Sequence, residues 1–141
     1  MHIYPSEDGR AALVRLARGT DMLRSLNEAA AHLGISAGTV QAIGAVAELA
    51  VAYFVQEEKR YHDMRFPEHM EIGSALGNVS VKDGEPFVHM HVTATRMDGS
   101  TVGGHLTDGT RVFLIEAYFR ALDGPAPVRE QDDDIGLAVW G

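Results

Sequence analysis

The hydrophobic pattern changes period along the chain, and the change sets the fold class. Between Thr20 and Gly34, apolar residues recur at Leu23, Leu26, Ala30 and Leu33, the spacing of one helical face. Thr20 or Asp21 can cap that helix, and Gly34 supplies a left-handed stop. Upstream, Arg10 to Arg18 alternates: Val14 and Leu16 are opposed in phase to Leu13 and Arg15, and Gly19 closes a first strand. Downstream, strands are expected at Thr39–Ile43 and Glu48–Gln56, separated by Gly44-Ala45-Val46-Ala47, both rich enough in small and branched apolar residues to imply burial on two faces. More follow at Met70–Leu76, Asn78–Val81, Phe87–Thr95 and Arg111–Leu122, with Gly77, Asp83-Gly84, Asp98-Gly99 and Asp108-Gly109 as turn points. One principal helix near the N-terminus followed by turn-punctuated strands is an α+β pattern, a compact mixed or antiparallel sheet rather than alternating βαβ units.

Two stretches depart from that rhythm. Glu57 to Pro67 is the most polar interior segment and reads as an exposed hairpin or loop. Beyond Leu122, Asp123-Gly124-Pro125-Ala126-Pro127 breaks regularity and leads into the acidic run Glu130-Gln131-Asp132-Asp133-Asp134, after which Ile135 to Trp140 can dock as an edge strand on this subunit or a neighbour. The expectation is one domain over 1–141, with a core at about 10–122 and an acidic C-terminal extension at about 123–141. A chain of 141 residues buries roughly two thirds of its unfolded surface without disulfides or a structural metal.

Charge and composition narrow the partners. Twelve Lys and Arg against 20 Asp and Glu give a net charge of −8 with no basic run, which disfavours direct DNA binding. There is no Cys, which removes disulfides, thiolate nucleophiles and Cys-based zinc sites. The start of the chain lacks a basic, apolar secretory signal, and no run approaches the roughly 18 apolar residues of a membrane span, so a cytoplasmic protein with no membrane partner is expected.

The remaining strong metal ligands are His, Asp and Glu, and three histidines stand out. In His89-Met90-His91, residues two apart on a strand point to one face, with Cα atoms about 7 Å apart. A three-residue loop at Met97-Asp98-Gly99, with Gly99 left-handed, places His105 across from His91. A four-residue loop, or a bulge at Gly103-Gly104, shifts that pairing by one. Three neutral imidazoles suit Zn²⁺ first, and also nickel, copper or iron, leaving a position for water or a small anion.

Glu71 and Glu116 interrupt apolar strands, where a buried carboxylate needs a partner. Each is a candidate to orient a ligating His, to supply a fourth ligand or to act as general base; a salt bridge or a solvent-facing position explains each equally well. Alternation puts Glu116 on the face of Val112, Leu114 and Tyr118. Asn78 either holds a turn, the simpler reading, or reaches the site with its amide. Gly103-Gly104 allows close backbone approach to a ligand or neighbouring chain, with Gly104 the site candidate, or forms a plain bulge. His32 belongs to the helix end, and His62 and His69 flank the polar segment.

In order and spacing, the landmarks Gly19-Thr20-Asp21, Gly34-Ile35-Ser36-Ala37-Gly38, Gly44, Glu71, Leu76-Gly77-Asn78-Val79-Ser80, Asp83 to His91, Gly103-Gly104-His105-Leu106 and Glu116 resemble the plants-and-prokaryotes-conserved (PPC) domain, in its stand-alone prokaryotic form. The resemblance runs from about Leu16 to about Leu122, and HxH followed by GGHL is its specific signature. It implies an α+β homotrimer with a metal at His89, His91 and His105. Plant members follow Arg-Gly-Arg-Pro AT-hooks and associate with themselves and other nuclear proteins; prokaryotic members carry a candidate DNA-binding label. This chain has no Arg-Gly-Arg-Pro, so the association half of that description carries over. The expected function is a metal-binding trimeric module in regulation or interaction, brought to DNA by a protein partner. The alternative is a small metal-dependent hydrolase or lyase.

Overall fold

A computed structural model describes residues 1–141, with one helix and ten strands. The helix α1, Met22–His32, starts where its cap predicts: one Asp21 carboxylate oxygen accepts from the Arg24 N–H and the other from the Gly109 N–H at 2.6 Å. One side chain thereby caps the helix and ties it to a distant loop. In α1, Met22, Leu26, Ala29 and Ala30 are buried, and the helix lies against the strands Glu85–Thr95 and Arg111–Ala121. Asn27 pins it there, accepting from the Val88 N–H at 2.8 Å.

The strands are β1 (His2–Pro5), β2 (Ala11–Arg15), β3 (Gly38–Val55), β4 (Arg60–Phe66), β5 (Met70–Lys82), β6 (Glu85–Thr95), β7 (Thr101–Leu106), β8 (Arg111–Ala121), β9 (Arg129–Asp132) and β10 (Leu137–Trp140). Eight form one antiparallel sheet in the order β1-β2-β8-β3-β5-β6-β7, with β4 beside the second half of β3. β7 also returns to β3 through Val51↔Leu106 and Ala52↔His105, so β3, β5, β6 and β7 close on themselves. Inside that closure lie Leu49, Val51, Met70, Ile72, Met90, Val92 and Leu106, continuous with the layer between sheet and helix where Phe119 and Val40 sit. Fully burying each large side chain contributes about 1.5–3 kcal/mol, so the core has ample driving force of its own.

Two glycines expected between strands lie inside them. Gly44 connects nothing: β3 runs unbroken from Gly38 to Val55, and a register shift beside Gly44 bends it instead. At φ 134°, and with the Leu114 carbonyl where a Cβ would stand, only glycine fits. Gly77 likewise lies inside β5, where the missing side chain lets β6 pass close at His89 and Met90.

The polar segment is the hairpin of the two options, a short 3₁₀ turn at Gln56–Glu58 followed by β4 on β3. At the C-terminus, β10 is not an edge strand of the main sheet. It pairs with β9 alone, and the chain entering that hairpin is tethered to β5 by the Val81 N–H donating to the Pro127 carbonyl at 2.9 Å. No helix is long and apolar enough to cross a membrane.

Candidate metal centre

Strand β6 sorts its residues by parity. Val88, Met90, Val92 and Ala94 point inward and are buried, which turns His89 and His91 to the outer face. The return to β7 is set by the turn: the Asp98 carboxylate accepts from the Ser100 N–H and hydroxyl, and Gly99 takes φ 82°. Thr95 therefore faces Thr101, and His91 faces His105, the register of the three-residue loop. β6 and β7 pair without a shift, so Gly103-Gly104 is no bulge. Close approach explains it, since a Cβ on Gly104 would stand 2.8 Å from the Ala52 carbonyl oxygen as β7 passes β3.

The three rings converge. Their centroids are 5.2 Å (His89–His91), 4.9 Å (His89–His105) and 5.5 Å (His91–His105) apart. One ligand nitrogen from each lies within 4.8 Å of the other two. The Nδ1 of His105 is buried with no hydrogen-bond partner. Such an orphan costs about 1–3 kcal/mol, and a cation bound by the trio would relieve it. Three imidazoles with one unsatisfied buried nitrogen are a donor set that fits a divalent transition metal.

Two residues outside the expected set complete the surroundings. Tyr61 of β4 stacks on His105 with centroids 5.1 Å apart. Arg129 of β9 reaches in from the C-terminal hairpin: Nε donates to the Ser80 hydroxyl (2.8 Å), Nη1 to the Ala138 carbonyl (2.9 Å), and Nη2 to Asn78 Oδ1 and His89 Nδ1 (3.3 Å each). A guanidinium only donates, so this contact makes His89 Nδ1 the acceptor. Asn78 is thus mid-strand opposite His89, holding Arg129 rather than a turn. Neither Tyr61 nor Arg129 was visible in the spacing of the histidines. The one sequence clue was the apolar C-terminal end, which needed a surface to rest on.

Burial sets the protonation of the cluster. It holds His105 at about 4, below the ordinary 6.5, with His89, His91 and Arg129 adding repulsion. His89 is lowered too, first by burial and then by Arg129 and His91. Burial also weakens the hold of Arg129 on its proton and raises the Tyr61 phenol. His89 and His105 are therefore neutral near pH 7, the form in which imidazole binds metal.

The carboxylates lie elsewhere. Glu71 pairs with Thr95, four residues along β6 from His91 and so roughly 13 Å away, and lines a groove with His69 and Phe113. Glu116 is on β8, three strand spacings from β6 or roughly 14 Å. Both are exposed and neither forms an ion pair, so the burial penalty that called for partners does not arise. Val112 is buried instead of sharing the outer face with Glu116, because β8 shifts register against β3 between Leu114 and Val112. His62 faces Tyr53 on β3, away from the trio.

The sequence matches the model of the Plants and Prokaryotes Conserved (PCC) domain over residues 4–123. The chain belongs to that family. This PPC-domain architecture is shared with a metal-containing protein from Archaeoglobus fulgidus, 38% identical, with a TM-score of 0.88 over 99% of this chain and 96% of that one. A PPC protein from Pyrococcus horikoshii is 32% identical, with a TM-score of 0.89 over 99% and 94% of the two chains. A protein from Bacteroides thetaiotaomicron named as a candidate DNA-binding protein is 28% identical, with a TM-score of 0.89 over 99% and 96%. No protein of curated function matches.

Proposed function

We propose that this PPC-domain chain is a metal-binding homotrimer that acts by association with other proteins and reaches DNA through a partner. The convergence of His89, His91 and His105 on the outer face of β6 and β7 carries the reading. The A. fulgidus relative, described as metal-containing, supports an ion here, and three imidazoles favour Zn²⁺. Asn78 serves by holding Arg129 beside the trio, and Gly104 by letting β7 close on β3; the Arg129 contact to His89 gives way when that ring binds a cation, because a ligating neutral imidazole has no second lone pair. Glu71 and Glu116 stand outside the centre.

Self-association is supported by the bare outer face of β2, β8, β3 and β5. There Leu13, Ile43 and Leu76 are each nearly 60% exposed, with Tyr118 and Leu114 between them. Closed symmetry is the usual outcome of such a face. The B. thetaiotaomicron name points toward DNA, while a net charge of −8 favours a route through a partner. The domain is taken as single, with a core at about 10–122 and an extension at about 123–141, in a reducing cytoplasm that suits a chain without Cys.

A second reading, a small metal-dependent hydrolase or lyase, is favoured by one observation: a cleft of about 220 Å³ beside His89 and His105. It lacks a carboxylate to move protons. Elemental analysis of untagged protein purified without chelator, together with its mass in solution, tests the leading reading. A metal-free monomer overturns it.

A further inference from the structure

The cleft beside the imidazoles has a charge pattern opposite to that of the chain. Acidic residues outnumber basic ones 20 to 12 overall, yet the walls carry the cations Lys82 and Arg129 beside the neutral rings of His89 and His105, and no carboxylate. Arg129 is the sharpest feature. Every hydrogen bond it makes goes to a neutral acceptor, the groups of Ser80, Ala138, Asn78 and His89. Arg10, Arg24, Arg60 and Arg96 pair with carboxylates and the other unpaired arginines are exposed, so Arg129 alone is both withdrawn from solvent and without a carboxylate. A half-buried cation without a counter-charge is costly, and a divalent ion on three neutral imidazoles would add two positive charges beside it. Charge balance calls for an anion in the cleft.

We propose that the cleft receives a small carboxylate, shared between the ion on the three histidines and the guanidinium of Arg129, with its short hydrocarbon part against Phe87, Leu137 and Val139. This rests on the metal reading above. The apolar wall offers contact and no hydrogen bonds, so it favours a carboxylate with a few carbons over a bare inorganic anion, and a cleft of about 220 Å³ has room for one. Arg129 is already positioned: its guanidinium lies 5.3 Å from the centroid of Phe87 and 4.5 Å from that of Trp140, and Ser80 and Ala138 fix its plane. Of its five N–H groups, four are engaged, two of them through long 3.3 Å contacts that a carboxylate can replace.

Two reporters test this on the full chain. Co²⁺ loaded in place of the native ion gives visible bands sensitive to its ligands. Trp140, the single tryptophan, reports by fluorescence on the guanidinium beneath it. The cobalt protein is titrated with butyrate and, separately, with inorganic phosphate and chloride. Cobalt bands and Trp140 emission are expected to shift together and saturably with butyrate. Arg129→Gln should keep cobalt and bind butyrate about tenfold more weakly or worse. Should that variant fail to fold, Lys82→Gln replaces it, with about threefold weakening expected. The proposal is overturned if cobalt loads and neither signal answers butyrate, if phosphate or chloride acts as well as butyrate, or if the substituted protein binds butyrate as the natural one does. A chain that takes up no cobalt shows no bands before any carboxylate is added; that outcome refutes the metal reading and the carboxylate site falls with it.

Discussion

The outer face of the sheet is divided between two neighbourhoods that one backbone serves differently. Over β6 and β7 it carries ring nitrogens, sheltered by Tyr61 and by the β9–β10 hairpin that Arg129 fastens down. Over β2, β8, β3 and β5 it carries Leu13, Tyr118, Ile43 and Leu76, with nothing above them. A single lateral row crosses from one to the other, each residue opposite the next: Leu13, Tyr118, Gln41, Leu76, His91, His105. Pairing geometry is the same throughout, and the two ends differ in what covers them. The polar end is roofed from within its own chain, which lowers the dielectric around it and keeps two of its imidazoles neutral. The apolar end, left open on a chain this acidic, is the face on which the proposed self-association rests.

The contrast can be broken at either end. The largest effect is expected from His91→Ala, which should take the ion content from about one per chain to none by elemental analysis. Particle mass and the circular dichroism of the fold should stay as they were, because the core lies on the other side of β6. Loss of folding in that variant would mean that the ion is structural. At the opposite end, Ile43→Asp places a charge on the apolar patch and should reduce the proposed trimer to single chains in light scattering, with the ion retained.

Acid sharpens the comparison more gently. His105 titrates at about 4 when folded and at about 6.5 when unfolded, so between those values the unfolded chain binds a proton that the folded chain refuses. Stability of the metal-free protein should therefore hold steady above 6.5 and decline as the pH falls toward 4, read from melting temperatures across that range. Ile43→Asp should show the same decline, since the apolar end of the row contributes no imidazole. The smallest effect is expected from Glu71→Gln, an exposed, unpaired carboxylate at the start of β5, roughly 13 Å from His91: ion content and mass unchanged, and stability within about 0.5 kcal/mol.

Local pattern made the trio legible and left its roof hidden. Alternation in β6 and the chemistry of Asp98-Gly99 were enough to set His91 against His105, because a hairpin register depends on adjacent residues alone. The cap at Asp21 and the helix stop at Gly34 were readable for the same reason. Gly44 and Gly77 look like connections in the sequence because a glycine in an apolar run signals a turn or a close backbone passage with equal force, and only the neighbouring strand decides. The phase of Glu116 was lost to a register shift that no residue type announces. β1 and β9 hold too few apolar positions to register as strands. Arg129 lies forty positions beyond His89 inside an acidic segment, so its place beside the imidazoles follows from tertiary structure alone.

The seam between the two neighbourhoods is a single strand spacing, about 4.8 Å, because Leu76 sits directly opposite the exposed ring of His91. Any surface that settles on Leu76 also narrows the route by which solvent and competing chelators reach that ring. Dilution, which loosens an assembly, should then hasten loss of the ion to a chelator, and occupancy measured at one protein concentration will not hold at another.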